Sequence, residues 1–421
     1  MHSPAHILFL TDFVPSPRAG NAGAKIFAYY IQELTQRGYR ASFIALGNPH
    51  ELSLRHDLAG QVATYRVLPI SRALPRRLLR AARRVAQPAE YALVADSGIE
   101  RALLQTLQRQ PVDIIHALHP WLIRAARRAV NRLRPASPPA IVGHVMDICS
   151  AQTFQRAQTG RPLRKLIETL AFARMAWREF SDYSLADSLL VHNQSDLEAI
   201  RLLSRSVPPA VYSPIWFDAI DQIAASPLAR SGFRLLYVGN SADPRMHEAL
   251  NWLLKRVMPI VDTAIPAVTL EIAGVQPDHK HLWHVPPRVT CHPVLITPEL
   301  LSLYDSASGM VFPLQSGRYS KHVKILNAFA RGLPTIMTSR ANFGEQALPG
   351  EETLLADEPD EFARHIINLL NNPDLSLQIA QGGLARIRRE YPSPDLIPHS
   401  LEKAYTLAKS QIAQKRYSSF S

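Results

Sequence analysis

Short apolar runs rich in isoleucine, valine and leucine alternate along the chain with longer segments in which apolar residues recur at helical spacing. This alternation is typical of a parallel β-sheet covered by helices on both faces. In the first half the predicted strands are Ile7–Thr11, Ser42–Leu46, Val112–His116, Ala140–Val145 and Ser188–His192. In the second half they are Leu235–Gly239, Val268–Ala273, Val289–Cys291, Met310–Pro313 and Thr335–Thr338. The pattern therefore predicts an α/β protein with two Rossmann-like sheets.

A proline-containing segment without periodicity separates the two halves, and 421 residues exceed the size at which a single core stops growing. We predict a first domain over 1–205, a linker over 206–232 and a second domain over 233–391. A C-terminal helix over 392–421 is expected to cross back to the first domain. Because open α/β sheets bind ligands at the carboxyl ends of their strands, we expect the site in a cleft between the domains.

The composition, with 47% hydrophobic and 19% charged residues, fits a globular enzyme and excludes a disordered or coiled-coil chain. Cys149 and Cys291 are the two cysteines and fit no metal-ligand spacing, which argues against a disulfide framework or a structural zinc site. The apolar run Ile7–Leu10 is too short for a secretion signal, and no run approaches the length of a membrane span. We therefore expect a cytoplasmic protein whose contact with a membrane, if any, is peripheral.

Positive charge is concentrated in the first half: residues 1–210 hold 27 Lys and Arg against 15 Asp and Glu, whereas residues 211–421 hold 20 of each. The arginines cluster in 72–84, 124–134 and 156–178. Two interpretations remain open: solvated helix faces, since arginine is a good helix former, or attraction to an anionic membrane surface or a phosphate-bearing acceptor. Few aromatic residues are interleaved with these arginines, so no nucleic-acid partner is expected.

Polar side chains follow two neighbouring predicted strands of the first half. His116 and His119 follow one strand, and His144 and Asp147 follow the next. A lone histidine at a strand end is more often structural, but several such groups on adjacent strands favour a site. They fit no Ser/His/Asp or metal-ligand spacing, so neither a hydrolase nor a metalloenzyme is indicated.

The most informative stretch of the second half joins a strand ending at Phe312 to a helix that begins near Ser320. Free N–H groups at a helix start bind anions, and Lys321 and Lys324 add positive charge, so this stretch predicts a diphosphate site. A glycine-containing loop, Gly20 to Gly23, follows the first strand of the chain, where its backbone can approach a ligand closely.

The stretch 301–336 resembles the donor-site region of retaining glycosyltransferase family 4, the glycosyl transferases of group 1. Tyr237-Val-Gly-Asn, Leu270-Glu-Ile-Ala-Gly and Gly350-Glu-Glu-Thr-Leu-Leu-Ala are also similar to that family. The resemblance implies a GT-B fold, in which two Rossmann-like domains face a central cleft. It also implies a nucleotide-sugar substrate, no cofactor, no required metal, and transfer with retention of anomeric configuration.

The resemblance also implies roles for individual residues. The donor-binding set is Gly20, Gly23, Asn240, Pro293, Val294, Ser320, Lys321, His322, Val323, Lys324 and Asn327. The catalytic set on the acceptor side is Asp147, His116, His119 and His144. Family members usually carry two glutamates eight residues apart where this chain has Tyr319 and Asn327, and many carry basic residues near the position of Asn240. The usual account of ribose binding and leaving-group stabilisation therefore does not transfer intact.

These features together predict a hexosyltransferase that moves a sugar from a nucleotide-sugar donor to a saccharide or lipid-linked acceptor. The expected context is cell-surface polysaccharide synthesis at the inner face of the cytoplasmic membrane. Two alternatives stay open. Asn327 favours a non-catalytic GT-B-like binding or assembly protein, and the same two-domain fold also serves nucleotide-sugar epimerases.

Overall fold

The computed structural model describes residues 4–49, 51–70, 89–151, 154, 162–204, 206–227, 230, 232–275, 288–316 and 321–418. Ser320, Tyr319 and the arginine cluster at 72–84 lie outside these residues. The chain divides into two compact units. The first comprises Met1–Ala19, Gly23–Pro214 and Asp395–Ser421, and the second comprises Gly20–Ala22 and Ile215–Pro394.

The first unit is built on a seven-stranded parallel sheet in the order β3-β2-β1-β4-β5-β6-β7. Its strands are β1 (His6–Thr11), β2 (Arg40–Gly47), β3 (Thr64–Pro69), β4 (Ile114–Leu118), β5 (Ala140–Val145), β6 (Ser188–Val191) and β7 (Ala210–Tyr212). Every residue of β1, β4, β5 and β6 is buried. Burial on both faces explains why these strands read as continuous apolar runs rather than as alternating patterns.

The longer helices of the first unit that precede the second sheet each have nine or more residues. They are α1 (Ala22–Gln36), α2 (Ala89–Ser97), α3 (Ile99–Arg109), α4 (His119–Leu133), α5 (Pro162–Tyr183) and α6 (Gln194–Leu203). Gly98 separates α2 from α3 with φ of 78°, in the left-handed region that favours glycine. Pro120 lies in the first turn of α4, where its missing N–H costs nothing.

The second unit contains a six-stranded parallel sheet in the order β10-β9-β8-β11-β12-β13. Its strands are β8 (Arg234–Val238), β9 (Thr269–Ala273), β10 (Val289–His292), β11 (Gly309–Phe312), β12 (Thr335–Met337) and β13 (Leu354–Leu355). Gly274, with φ of 102°, lets β9 end close to the loop after β8, because a Cβ there would lie 2.6 Å from the carbonyl oxygen of Gly239. Two parallel sheets with covering helices confirm the predicted α/β architecture of two Rossmann-like domains.

The helices of the second unit carry sequence signals at their starts. They are α7 (Pro244–Trp252), followed by a π-helical turn (Leu253–Val257), α8 (Met258–Ala264), α9 (Thr297–Ser306), α10 (Val323–Ala330), α11 (Ser339–Glu345), α12 (Pro359–Asn371) and α13 (Pro373–Glu390). Asp243 and Asn372 cap α7 and α13, each accepting a backbone N–H and each preceding a proline.

The last helix, α14 (Leu396–Ser418), belongs to the first unit and packs on β5, β6 and β7. Ser188 Oγ donates a hydrogen bond of 2.8 Å to the carbonyl oxygen of Ala404, and Tyr405 Oη lies 2.8 Å from His116 Nδ1. Leu401, Ala404 and Tyr405 are buried in this contact. The helix therefore covers the part of the sheet formed by the strands that come last in the first unit.

A chain of hydrogen-bonded side chains runs through the core beneath α14. His116 Nε2 lies 2.9 Å from His144 Nδ1, His144 Nε2 lies 2.8 Å from His192 Nε2, and His192 Nδ1 lies 2.7 Å from the carbonyl oxygen of Ser213. Burial lowers the pKa of His116 to about 3 and the pKa of His144 well below its usual value. Both rings are therefore neutral at physiological pH.

Three strands of the structure, β3, β7 and β13, were not predicted from the sequence. β7 falls inside the segment predicted as a linker over 206–232, and the two units divide between Pro214 and Ile215. Prolines on both sides of this three-residue strand hid it, because they read as loop. β13 has two residues, too few to show any period.

We expect Tyr405→Phe to lower the free energy of unfolding by about 1–3 kcal/mol, because it leaves the buried His116 Nδ1 without its partner. Tyr65→Phe is the matched control: its phenol also bonds a histidine, His56, at 2.6 Å, but in an exposed place. That control should cost less than about 0.5 kcal/mol. Urea unfolding followed by circular dichroism measures both, and equal losses would contradict a special role for the buried pair.

Candidate functional site

The candidate site of the second unit lies where β8 and β11 end, since these strands are neighbours in the sheet. Asp243 follows β8, caps α7 and holds Arg245 through hydrogen bonds of 2.9 Å to Nε and 2.5 Å to Nη2. Lys324 lies in the first turn of α10, which follows β11. The charges of Asp243, Arg245 and Lys324 act on one another, which places all three at this edge.

Lys324 is partly buried and poorly supplied with hydrogen-bond acceptors. Its Nζ lies 3.2 Å from the thioether sulfur of Met246 and 4.9 Å from the centre of the Phe312 ring. Among the described residues no carboxylate lies within ion-pair distance of this Nζ. Burial lowers the pKa of Lys324 to about 8, opposed by the negative charge of Asp243. An ammonium with three donors and a weak sulfur acceptor is suited to receive an anion.

The sequence predicts free N–H groups at the start of α10, but one of them is already used within the protein. The N–H of His322, the residue that caps α10, donates a hydrogen bond to Glu345 Oε1 at the end of α11. Glu345 is buried, and burial raises its pKa to about 7. Within the described chain, neither His322 Nε2 nor Glu345 Oε2 has a hydrogen-bond partner. Burial and the charge of Lys324 lower the pKa of His322 to about 3, so its ring is neutral.

The two predicted phosphate-binding lysines have different surroundings. Lys321 Nζ lies 2.6 Å from Glu390 Oε2, and Arg386 contacts the same Glu390 carboxylate at 2.7 Å. Arg386 also pairs with Glu352 at 2.8 Å. Lys321 therefore belongs to an ion-pair network with α13, whereas the ammonium of Lys324 contacts only a thioether sulfur and an aromatic ring among the contacts described above. The sequence treated the two lysines as equivalent because burial and pairing over long separations leave no local pattern.

Asn327 is 1% exposed, and its amide is bound on both sides. Its Oδ1 accepts from the N–H of Ala219 at 3.0 Å, and its Nδ2 donates to Asp218 Oδ2 at 3.2 Å. Asp218 Oδ1 accepts from Thr297 Oγ1 at 2.8 Å. A carboxylate therefore lies beside position 327, but it belongs to Asp218 and not to a glutamate at position 327 itself. Sequence reasoning missed Asp218 because it lies 109 residues away, inside the predicted linker.

Four further donor-binding candidates lie close together in the second unit: Gly20, Asn240, Pro293 and Val294. A Cβ at Gly20 would lie 3.5 Å from Val294 Cγ1 and 3.9 Å from Asn240 Nδ2. Pro293 precedes Val294 in the loop after β10, and its carbonyl oxygen accepts from the N–H of Gly274 at 3.1 Å. Larger side chains at position 20 would therefore meet Val294 and Asn240.

The remaining donor-binding candidates are placed by their elements. Val323 is the first residue of α10, next to Lys324. Gly23 is the second residue of α1 and belongs to the first unit.

The structure corrects the placement of His116 and His144 on the acceptor side. Both are 0% exposed, and both nitrogens of each ring lie within hydrogen-bond distance of core groups. An acceptor cannot reach them, and they hold the core of the first unit. The strand-end pattern could not show this, because it does not tell which face of a strand end is covered by a distant helix.

His119 and Asp147 lie nearer to the surface of the first unit. His119 adopts φ of 62°, unusual for a non-glycine residue, and its ring centre lies 4.6 Å from that of Trp121. Asp147 is half-buried near Asp196, and burial together with the charge of Asp147 raises the pKa of Asp196 to about 8. No group of three or more metal-binding side chains occurs among the described residues.

Comparison with known proteins matches residues 232–372 to the family model of glycosyl transferases group 1. A Klebsiella pneumoniae protein described as an uncharacterized 44.6 kDa protein in the cps region is 28% identical over 167 residues. That alignment covers 38% of this chain and 42% of the relative, so the chain spans less than half the length of the curated relative it matches.

Among solved structures, the whole chain is similar in fold to sucrose-phosphate synthase from Thermosynechococcus elongatus, with a TM-score of 0.64, 16% identity and 99% coverage of both chains. HepE of Anabaena in complex with UDP-glucose gives a TM-score of 0.58 at 15% identity, covering 98% of this chain and 99% of that chain. A TarM variant of S. aureus in complex with UDP, Fondaparinux and α-GlcNAc-glycerol gives a TM-score of 0.63 at 9% identity. That comparison covers 95% of this chain and 99% of the TarM chain. These similarities show the two-domain GT-B fold.

We expect Asn327→Glu to destabilise the protein by about 3 kcal/mol, because it places a second carboxylate against Asp218 in a buried position. The loss should be largest at high pH and shrink as the pH falls, since protonation of one carboxylate removes the repulsion. Thermal unfolding between pH 5.5 and 8.5 measures the effect.

The double variant Asn327→Glu with Asp218→Asn is the control, because it restores one amide beside one carboxylate. It should recover most of the stability at pH 8. If the single variant is as stable as the parent at pH 8, the contact between Asn327 and Asp218 does not hold this part of the second unit together.

Proposed function

We propose that the protein is a glycosyltransferase that uses a nucleotide sugar as donor. The observation that carries the proposal is the environment of Lys324, a partly buried ammonium at the end of β11 without a carboxylate partner among the described residues. The match of residues 232–372 to glycosyl transferases group 1 supports the proposal, since that range contains Lys324, Arg245 and Asn327. The diphosphate of the donor is the anion that this position would receive.

The proposed chemistry needs positive charge where the diphosphate leaves. In sugar transfer the bond between the anomeric carbon and the diphosphate breaks, and negative charge grows on the phosphate oxygens. Lys324 and Arg245 would stabilise that charge in surroundings that are partly shielded from water. Side-chain cations in this role would make the reaction independent of a metal ion. Transfer with retention and a hexosyl donor complete the proposal.

We propose a uridine diphosphate sugar as donor and a saccharide as acceptor. HepE was solved with UDP-glucose, and the TarM variant was solved with UDP and a sugar-bearing ligand, which supports these classes. The relative in the cps region supports a place in polysaccharide synthesis. The acceptor-side candidates that remain are His119, which is 9% exposed and follows β4, and Asp147, which is half-buried and follows β5.

A second function, nucleotide-sugar binding without catalysis, is favoured by one observation. Asn327 is 1% exposed and its amide is bound to Ala219 and Asp218, so a ribose has no access to it in this arrangement. A protein of this kind would bind a nucleoside diphosphate but neither transfer nor hydrolyse the sugar. An epimerase, in contrast, would interconvert free nucleotide sugars without any acceptor.

We also propose peripheral attachment to an anionic membrane through α5. Leu166, Leu170 and Trp177 lie on one face of this helix and are 58%, 58% and 61% exposed. Lys165 and Arg174 flank this apolar stripe. Apolar residues flanked by cations are typical of helices that lie in the membrane interface. No described helix is long and apolar enough to cross a bilayer.

We expect Lys324→Met to weaken UDP binding roughly 10- to 100-fold, because a charge-assisted hydrogen bond contributes about 1.5–3 kcal/mol. UDP affinity of the parent should fall as the pH rises past about 8, where Lys324 loses its proton, and the variant should lack this dependence. Titration calorimetry across pH 6.5–9.5 measures both.

Lys321→Met is the matched control, and it should change UDP affinity less than threefold because Glu390 already neutralises Lys321. Unchanged affinity of the Lys324 variant for UDP, GDP and ADP alike would contradict the proposed donor position. Incubation of the parent with nucleotide sugars then separates the functions: slow hydrolysis or transfer supports the enzyme, binding alone supports the non-catalytic protein, and interconversion supports an epimerase.

We expect Leu170→Gln combined with Trp177→Gln to lower binding to phosphatidylglycerol vesicles at least tenfold, since burying each side chain contributes roughly 1 kcal/mol or more. Leu377→Gln, at a 46% exposed leucine of α13, is the control and should bind as the parent does. Co-sedimentation with vesicles measures the partition. Equal binding of all three proteins would remove α5 from the membrane proposal.

A further inference from the structure

A groove lined by arginines crosses the first unit, away from the histidine core. It has a volume of about 700 Å³ and lies between α3 and α4, with Arg178 of α5 at one side. Tyr91, Val94 and Trp121 line it from the interior, and they are under a tenth exposed. A recess of this size matches a small-molecule or oligosaccharide site rather than a flat contact surface.

Three of the lining arginines form one row along α4. Arg124, Arg128 and Arg132 are spaced four residues apart, which places them on one face with a rise of about 6 Å between neighbours. Like charges at this spacing destabilise a helix. Arg124 is relieved by the buried Asp182, but Arg128 and Arg132 are exposed and have no carboxylate in ion-pair distance among the described residues.

The other walls add two more cations and little opposing charge. Arg101 of α3 is exposed and likewise has no ion-pair partner among the described residues. Arg178 lies 5.3 Å above the Tyr91 ring, and its buried Nε has no hydrogen-bond partner within the described part of the chain. Glu100 is the acidic residue on the lining besides the neighbouring Asp182. The groove therefore carries a surplus of positive charge and an unsatisfied buried donor.

We propose that this groove binds an acidic oligosaccharide, with the row of arginines on α4 pairing to carboxylate groups on successive sugars. The guanidinium fork matches carboxylates in bidentate geometry. Gln108 on α3 lines the opposite wall, where its amide can bond sugar hydroxyls. Tyr91 and Trp121 are too buried to stack on nucleic-acid bases. The groove belongs to the first unit and Lys324 belongs to the second, and the groove does not depend on the proposed transferase activity.

The test measures binding of a galacturonate hexasaccharide by titration calorimetry at 0.15 M salt, with maltohexaose as the uncharged comparison. The parent is expected to bind the acidic sugar and not the neutral one. Arg128→Gln combined with Arg132→Gln should weaken that binding at least tenfold while leaving the melting temperature unchanged or higher, because repulsion along α4 is removed. Lys324→Met should bind the hexasaccharide as the parent does.

The matched control is Arg109→Gln combined with Arg201→Gln, which removes two exposed arginines that do not line the groove. It should retain the affinity of the parent. Equal weakening in both double variants, or equal affinity for a single-stranded oligonucleotide of the same charge, would overturn the proposal in favour of general attraction to polyanions. Absence of hexasaccharide binding, with loss of binding to phosphatidylglycerol vesicles in the groove variant, would assign these arginines to the membrane instead.

Discussion

The buried chain of hydrogen bonds from Tyr405 through His116, His144 and His192 to the Ser213 carbonyl is the constraint on which the first unit depends. It joins the last helix to β4, β5, β6 and the segment after β7. The three buried imidazoles can satisfy one another in the core only if each ring keeps its donor and acceptor in register. The same requirement takes two of the predicted catalytic histidines out of reach of any substrate, because their nitrogens are already used.

The fold could be predicted from the sequence because parallel strands buried on both faces leave short but continuous apolar runs between helical segments. The strands β3, β7 and β13 were missed for the opposite reason: β3 is only half-buried, and the other two are too short to show a pattern. The candidate site was predictable only as far as local spacing reaches. Lys324 was found from the helix start at which it lies, and Arg245 lies in the corresponding position of α7.

What the sequence could not show are the partners that come from distant segments. The pairing of Lys321 with Glu390, the hold of Glu345 on the His322 amide and the contact of Asp218 with Asn327 join residues 69, 23 and 109 positions apart. Each of these contacts occupies a group that the sequence predicts to be available to a ligand. A motif therefore predicted the region that we propose to bind an anion, whereas the pairing of each of its charges depends on tertiary packing. Arg128 and Arg132 of α4 show the converse, because no described carboxylate pairs with them.

The position of α14 has a consequence for how the chain is made. All residues of the second unit are synthesised before α14. The first unit, in contrast, is complete only with α14, whose Leu401, Ala404 and Tyr405 are buried against it. Domains generally fold in the order in which they leave the ribosome. Here the unit that begins first is completed only when α14 has been made, and the apolar surface of β5 and β6 stays uncovered until then. A chain released before α14 is made therefore has a complete second unit and a first unit in which part of the sheet remains uncovered.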